Sequence, residues 1–305
     1  MRYDEMFIIG FALLTATSPV CAGAQSAPTS RSRSMTEAHS MTQTSTPVRT
    51  GYANVNGLRM YYEQHGAEGF PLVLVHGGGS TINTTFGRIL PLLARSRRVI
   101  AVEVQAHGHT RDIDRPFTFE QDADDVAALL DSLHVPKADI LGFSNGGTTA
   151  LQIAIRHPEK VSRLVIASSN YKRDGMQAGF WDFMEKGTYA DMPKPYEVAY
   201  LKINPSQAGV HAMHDRDAKR MLAFKDIPDT SIRGIQAPTL VVVGDRDVIR
   251  PEHALELSRT PPHARLCILP GTHGSYLGEV MTPTVSDRRV AIFADLVTEF
   301  LDGRE

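Results

Sequence analysis

Side chains that together can carry out nucleophilic catalysis follow three separate apolar runs of this sequence. Ser144 follows "DILGF", Asp245 and Asp247 come after "TLVVVG", and His273 comes after "LCILPGT". Acyl transfer uses a hydroxyl that attacks, a base that takes its proton and an acid that orients the base. In open parallel sheets, ligands bind beyond the carboxyl ends of the strands, where residues from separate strands meet. These residue types and their chain order therefore favour covalent catalysis by a serine.

The segment around Ser144 has the form Gly-x-Ser-x-Gly, which places a serine on a sharp turn between a strand and a helix. Side chains at Gly142 and Gly146 would clash in such a turn, and the helix N-terminus would direct amides at the serine. A serine that only caps a helix between glycines is about as common. The motif alone therefore leaves both interpretations open, and Asp247 and His273 at other strand ends favour the nucleophile.

A glycine-rich loop follows another apolar run, in "LVLVHGGGS". Such a loop can present backbone N–H groups to an oxyanion or to a phosphate. It lacks a Gly-Lys-Ser/Thr ending and the Gly-x-Gly-x-x-Gly pattern, so nucleotide binding is disfavoured. We expect His76 to anchor this loop and not to act as a catalyst.

Short β-branched runs alternate with helical patterns over most of the chain. The runs are "PLVLVHG", "RVIAVEV", "ADILGFS", "RLVIASS", "TLVVVGD" and "ARLCILP". Continuous apolar runs suit strands that are buried on both faces of a parallel sheet. "YANVNGLRMYYEQHG" predicts a hairpin that turns at Asn56-Gly57. The alternation predicts an α/β fold with a mostly parallel, doubly wound sheet.

Residues 171–235 interrupt this alternation, since they hold short helical patterns and no strong strand. We predict a helical cap inserted between two strands of the sheet. Phe180, Trp181 and Met184 are candidates for an apolar wall around a substrate, because methionine and aromatic side chains adapt to bulky ligands. Packing of the cap's own core is the more common use of such residues.

The N-terminal segment has features of export. The apolar run at residues 7–17 is short for a bilayer span, and Ala22-Gly23-Ala24 has the form of a signal-peptidase site. Residues 1–24 are therefore predicted to be a secretory signal, residues 25–50 a flexible Ser/Thr-rich leader, and residues 51–305 the folded domain. Asp4 and Glu5 weaken the positive bias of the signal. A true start at Met35 or Met41 would leave the protein in the cytoplasm.

Composition limits the partners. The 305 residues carry a formal net charge of −2, and the basic residues form no stripe, so neither nucleic acid nor an anionic membrane is expected as a partner. Cleavage of the signal would remove Cys21 and leave only Cys267. No disulfide and no Cys/His metal cluster is then expected, and the chemistry needs no cofactor. A small molecule is the expected partner.

The chain from about residue 52 to 303 resembles the α/β-hydrolase family, on the motifs "HGGG", "GFSNGG", "GDRD" and "GTHG". The resemblance implies Ser144 as the nucleophile and His273 as the general base and acid. It implies Asp247 as the orienting acid, three residues after Gly244, and leaves Asp245 to make structural hydrogen bonds. It also implies an oxyanion hole formed by the amides of Gly78 and Asn145.

Longer stretches, among them "QAHGHT", "GFSNGGTTALQIAIRHPEKV" and "GTHGSYLGE", resemble serine-dependent bacterial macrolide esterases. That resemblance implies opening of the lactone ring of a macrolide antibiotic, and so antibiotic resistance. The alternatives are a general carboxylesterase for small esters, a carbon–carbon bond hydrolase, and a ligand-binding receptor that retains the triad. Dehalogenases and epoxide hydrolases of the family carry aspartate at the position of Ser144, on the turn called the nucleophile elbow. The serine therefore disfavours those two reactions.

The segment "EVQAHGHT" departs from the Asp-x-Arg-Gly-His-Gly pattern of many members of the family. It places Gln105 and His107 near the end of a strand. These two side chains are candidates for contact with substrate, or else they brace the loop.

Overall fold

The structure is a computed structural model that describes residues 49–66 and 68–303. The predicted signal, residues 1–24, and nearly all of the predicted leader lie outside the described residues. The first strand begins at Arg49, two residues before the predicted start of the folded domain. No helix in the described ranges is both long enough and apolar enough to cross a membrane.

Eight strands form one mostly parallel sheet in the order β1-β2-β4-β3-β5-β6-β7-β8. The strands are β1 (Arg49–Val55), β2 (Leu58–His65), β3 (Pro71–Val75), β4 (Arg98–Glu103), β5 (Ala138–Phe143), β6 (Val161–Ala167), β7 (Thr239–Gly244) and β8 (Ala264–Leu269). Only the pairs β1–β2 and β2–β4 are antiparallel. The hairpin turns at Asn56 and Gly57, whose φ angles of 48° and 83° are those of the predicted Asn-Gly turn.

Helices cover both faces of this sheet. They are α1 (Ile82–Phe86), α2 (Leu90–Leu93), α3 (Phe119–Ser132), α4 (Asn145–Arg156), α5 (Phe180–Lys186), α6 (Lys194–Ile203), α7 (Gln207–Ala223), α8 (Asp229–Arg233), α9 (Pro251–Arg259) and α10 (Asp287–Asp302). Successive residues of β3 belong to two different apolar clusters, because side chains alternate between the faces of a strand. Val73 packs in the cluster of Val126 on α3, and Leu74 packs in that of Phe293 on α10. The predicted doubly wound sheet is confirmed.

The helices α5 to α8 lie between β6 and β7 in the chain, within the segment predicted as a cap. A third apolar cluster holds part of this insertion together. Its buried members are Met192, Tyr196, Tyr200, Val210 and Met213. Other inserted residues, among them Met221 of α7 and Ile232 of α8, pack in one of the two clusters of the sheet, so the insertion has a small core of its own and is also joined to the sheet.

Candidate active site

Ser144 lies on the turn between β5 and α4, in a backbone conformation that side-chain-bearing residues rarely adopt. Its φ is 55° and its ψ is −124°. A Cβ atom on Gly142 would lie under 3.0 Å from the Gly146 carbonyl oxygen, and one on Gly146 would lie under 3.0 Å from the Val75 carbonyl oxygen. Glycine at these positions therefore lets β3, β5 and α4 approach closely enough to hold the strained turn.

The Ser144 hydroxyl makes no capping hydrogen bond to α4, although Ser144 directly precedes that helix. It lies 3.0 Å from Nε2 of His273 instead. Nδ1 of His273 is 2.7 Å from Oδ1 of Asp247, which accepts as a carboxylate. The ring proton therefore sits on Nδ1, and Nε2 is left to accept the serine proton. The structure thus brings the three residues into one hydrogen-bonded chain.

The Asp247 carboxylate is buried among donors. Besides His273, it accepts hydrogen bonds from the Ser168 hydroxyl and from the amides of Gly244 (3.2 Å) and Ile249 (3.1 Å). Burial alone would raise the pKa of Asp247, but His273 and these donors outweigh burial and lower it. The carboxylate therefore remains ionised at neutral pH, as an orienting acid must.

Asp245 has a structural role and does not orient His273. Its Oδ1 accepts a hydrogen bond of 2.7 Å from the amide of Gly271, in the loop that carries His273. It thereby ties the loop after β7 to the loop after β8. Of the two aspartates, only Asp247 is hydrogen-bonded to His273.

Ser168 and Tyr276 extend the chain behind Asp247, and sequence reasoning missed both. Ser168 follows β6 with a φ of 47°, and its hydroxyl donates to Asp247. The Tyr276 hydroxyl lies 2.6 Å from the Ser168 hydroxyl, and both residues are fully buried. The position of Ser168 at the carboxyl end of a parallel strand was the signal that could have found it.

His76 orients the peptide that ends in the Gly78 amide. Its Nδ1 is 2.7 Å from the carbonyl oxygen of Gly77, which belongs to the same peptide group as the Gly78 N–H. Its Nε2 accepts a hydrogen bond of 3.3 Å from the Val104 amide. Burial lowers the pKa of His76 to about 3, so the ring is neutral and donates from Nδ1. His76 is therefore placed as an anchor of the loop.

The two residues whose amides are expected to form the oxyanion hole, Gly78 and Asn145, line the same cavity as Ser144. Asn145 is the first residue of α4. Neither amide donates a hydrogen bond to another of the described residues. Two unpaired donors beside a nucleophile can stabilise the negative charge that develops on a carbonyl oxygen.

A cavity opens beside Ser144 and His273, and its walls are largely apolar. The apolar part of the wall is Phe143, Met176, Phe180, Phe183, Met184, Met192, Pro193, Ala218, Met221, Val248 and Ile249, and the polar side chains besides Ser144 and His273 are Ser80, Asn145, Asn170, Tyr196, His214 and Asp217. No lysine or arginine is found among the described residues that line it. The cavity therefore suits an apolar, uncharged ligand better than an anion.

Gln105 and His107 do not line this cavity, which corrects the prediction that they contact substrate. Both are fully buried. The Gln105 amide donates to Asp112 and to the Ile113 carbonyl, while His107 Nε2 lies 2.8 Å from Oδ2 of Asp217. They brace the loop after β4, which was the second of the two interpretations.

Of the three substrate-contact candidates on α5, two line the cavity and one does not. Phe180 and Met184 line the cavity, and their contact with a substrate stays a prediction. Trp181 does not line it, and its predicted contact with substrate is corrected. Its indole N–H donates to the Arg173 carbonyl at 2.7 Å, and the Arg173 guanidinium stacks on the ring. Successive helical residues point in different directions, so only part of such a run can face one ligand.

A hydrogen bond joins the inserted helices to the loop after β8, which carries His273. The Tyr196 hydroxyl donates to Oε1 of Glu279 at 2.8 Å, and Oε2 accepts from the Met281 amide. Burial raises the pKa of Glu279 above its usual value. No pattern in the sequence predicts this pair, because the two residues are 83 positions apart.

Comparison with known proteins points to one family. A family model described as alpha/beta hydrolase fold matches residues 71–214. The 2-hydroxymuconate semialdehyde hydrolase of Pseudomonas sp. (strain CF600) is 30% identical over 80% of this chain and 91% of its own length.

Two further relatives act on esters or lactones by their names. The pimeloyl-[acyl-carrier protein] methyl ester esterase of Neisseria meningitidis (serogroup A) is 27% identical over 75% of this chain and 77% of its own. The structure of Est816, an N-acyl homoserine lactone degrading enzyme, has a TM-score of 0.63 and 25% identity over 82% of this chain and 99% of that one.

Proposed function

The chain belongs to the α/β-hydrolase family, and from that premise we propose that it is a serine esterase that works through an acyl-enzyme. One observation carries the proposal. The Ser144 hydroxyl, which lines an apolar cavity, lies 3.0 Å from a histidine nitrogen whose ring is oriented by a buried carboxylate. This is the arrangement that activates a serine for attack on a carbonyl carbon.

The first half-reaction follows from these positions. Ser144 Oγ attacks the ester carbonyl while Nε2 of His273 takes its proton, and the Asp247 carboxylate stabilises the imidazolium. The carbonyl oxygen becomes an oxyanion that the amides of Gly78 and Asn145 stabilise. Losing one such donor typically costs about 100- to 1000-fold in rate. His273 then protonates the leaving alkoxide, and the acyl group remains on Ser144.

The second half-reaction repeats these steps with water. His273 takes a proton from water, the hydroxide attacks the acyl carbon, and the tetrahedral intermediate collapses as His273 returns a proton to Ser144. The products are a carboxylic acid and an alcohol. For a lactone, the two groups remain parts of one molecule that has gained one water.

We propose a macrolide lactone as the substrate, which would make the protein a resistance enzyme. Three observations support this choice. They are the sequence resemblance to macrolide esterases, the adaptable wall of Met176, Met184, Met192 and Met221, and the likeness to a lactone-degrading structure. A smaller uncharged ester would use the same groups.

Carbon–carbon bond hydrolysis is the second candidate, because the relative at 30% identity is named for a muconate semialdehyde. Such a substrate carries a carboxylate. Burial of a carboxylate is costly unless a cation or several hydrogen-bond donors compensate it, and no described residue of the cavity wall is lysine or arginine. The charge of the cavity therefore favours esters.

Mass spectrometry of a macrolide panel incubated with wild type and Ser144→Ala tests the proposal. The expected result is a drug that gains one water with wild type and stays intact with the variant. Turnover of short nitrophenyl esters without macrolide turnover would assign a general esterase. Fission of a dienoate with no ester turnover would assign a carbon–carbon hydrolase. Failure of a fluorophosphonate to label Ser144 would contradict both enzymes and leave a receptor.

A further inference from the structure

Asp217 on α7 reaches from the inserted helices to the glycine-rich loop. Its Oδ2 accepts a hydrogen bond of 2.5 Å from the Gly79 amide. The two residues lie 138 positions apart. The neighbouring Gly78 carries one of the two amides assigned to the oxyanion hole, so a cap side chain is bonded directly beside that hole.

The Gly78–Gly79 peptide is held at both ends. Its N–H donates to Asp217, and its carbonyl oxygen, on Gly78, accepts from the Ser80 hydroxyl at 3.2 Å. A Cβ on Gly78 would lie under 3.0 Å from the Asn145 side chain and 3.1 Å from Oδ2 of Asp217. Gly78 is therefore packed between the elbow on one side and the Asp217 carboxylate on the other.

The Asp217 carboxylate is itself held by two further side chains. His107 Nε2 lies 2.8 Å from Oδ2, and the Arg220 guanidinium donates to Oδ1. Arg220 also donates to Asp122 of α3 at 2.5 Å and lies over the ring of Phe117. All of these side chains are buried, so Asp217 cannot shift without breaking several bonds.

Charge compensation explains why a carboxylate can stand beside a developing oxyanion. Burial alone would raise the pKa of Asp217, but His107 and Arg220 outweigh it and lower that pKa below its usual range. Burial would likewise lower the pKa of His107, but Asp217 outweighs it and raises the pKa. The negative charge beside the glycine loop is therefore paired, and repels an oxyanion little.

We propose that Asp217 is a positioning residue for the oxyanion hole, so that the Gly78 amide is correctly aimed only when α7 is seated on the glycine-rich loop. This inference rests on the proposed esterase function. It makes the insertion part of the catalytic geometry as well as part of the substrate wall. Asp217 acts through the loop and need not contact the reacting atoms.

Asp217→Asn tests this, with Arg216→Gln as the matched control. Arg216 precedes Asp217 on α7 and also joins the helix to the loop after β4, through Asp112 at 3.0 Å and the Arg115 carbonyl at 2.9 Å, but it is not among the residues that line the cavity and has no hydrogen bond to the glycine-rich loop. Asp217→Asn changes the contact of α7 with the glycine-rich loop, whereas Arg216→Gln changes only another contact of the same helix. Comparing them separates the orientation of the Gly78 amide from the attachment of α7 to the rest of the protein.

Three quantities are measured for each variant. They are kcat and KM for nitrophenyl butyrate, the Ki of a trifluoromethyl ketone, and the rate at which a fluorophosphonate labels Ser144. The ketone adds to the serine and places an oxyanion in the hole. We expect Asp217→Asn to lower kcat and the labelling rate by about 10- to 100-fold and to weaken the ketone by a similar factor, with little change in KM. Arg216→Gln should stay within about threefold of wild type in all three.

The inference is overturned if Asp217→Asn keeps the wild-type kcat and Ki, or if Arg216→Gln loses as much as Asp217→Asn does. Circular dichroism establishes whether Asp217→Asn folds. If it does not, His107→Gln is used, which removes the imidazole that fixes Oδ2 of Asp217 beside the Gly79 amide and is expected to weaken the ketone while KM is kept. A wild-type value for His107→Gln then overturns the inference. Absence of labelling in wild type is a separate result, since it contradicts the esterase itself.

Discussion

Two aspartates stand two positions apart after β7, and only one of them is hydrogen-bonded to the histidine. We expect Asp247→Asn to lower kcat by about 10⁴-fold, because the amide lets the imidazole adopt the wrong tautomer. Asp245→Asn keeps an oxygen that can accept from the Gly271 amide, so its kcat should remain within about threefold of wild type. Steady-state kinetics with one ester substrate measure both. An equal loss from the two variants would contradict the assignment of Asp247 as the orienting acid.

Single residues were predictable where a local motif marks them. Ser144, Asp247 and His273 each follow an apolar strand pattern, and the structure brings the three together. Asp217 has no such local mark, and Ser168 follows the apolar run of β6 but belongs to no catalytic motif. Their roles depend on hydrogen bonds to residues 79 and 138 positions away, which no periodicity of the sequence records.

The strand–turn–helix element around Ser144 tolerates no side chain at its glycines. We expect Gly146→Ala to cost about 3 kcal/mol or more of unfolding free energy, because the new methyl group would overlap the Val75 carbonyl inside a packed sheet. Gly234→Ala is the control, since its Cβ would lie 3.2 Å from the nearest oxygen, at the end of a helix. That variant should change stability by less than about 1 kcal/mol. Urea unfolding measures both, and equal costs would show that the turn is not constrained.

Helix α9 carries a buried histidine that links stability to pH. His253 is fully buried, its Nε2 accepts from the Tyr171 amide at 3.2 Å, and burial lowers its pKa to about 4. The unfolded chain has a histidine pKa of about 6.5, so it binds the proton first as the pH falls. This group's contribution to stability is therefore complete above about pH 6.5 and is lost as the pH falls towards 4.

A comparison with His253→Gln isolates this contribution. Between about pH 6.5 and 4, the unfolding free energy of wild type should fall relative to the variant by about 1.4 kcal/mol per pH unit. Urea unfolding at several pH values gives the difference. A constant difference across this range would mean that His253 is not held neutral in the folded protein.

The strands could be predicted individually from the sequence, whereas the inserted helices could not. The strands were predictable because β3, β5 and β7 are buried along their whole length and read as continuous apolar runs. The inserted helices were predictable only as a group. Which face of α5 meets the cavity depends on packing against α7, so the sequence alone could not separate Phe180 and Met184, which line the cavity, from Trp181, which does not.

The molecule as a whole offers its substrate a cavity without a cationic wall. Methyl hexanoate and monomethyl adipate have the same chain length and differ by a terminal carboxylate. We expect kcat/KM to be at least about 100-fold lower for the adipate, because its charge would be buried without a partner. A pH-stat assay at neutral pH measures both esters. Equal turnover would contradict the charge argument against dienoate substrates and favour the carbon–carbon hydrolase.

The division between sheet loops and inserted helices has a consequence for how the protein can diversify. The reacting groups come from loops after β5, β7 and β8, whereas all four methionines of the cavity wall come from the segment between β6 and β7. Grafting that segment from another member of the family would in principle exchange substrate range while keeping the chemistry. The hydrogen bond between Asp217 and Gly79 limits such chimeras. A grafted segment without a carboxylate at that position would change the substrate range but leave the Gly78 amide wrongly oriented for catalysis.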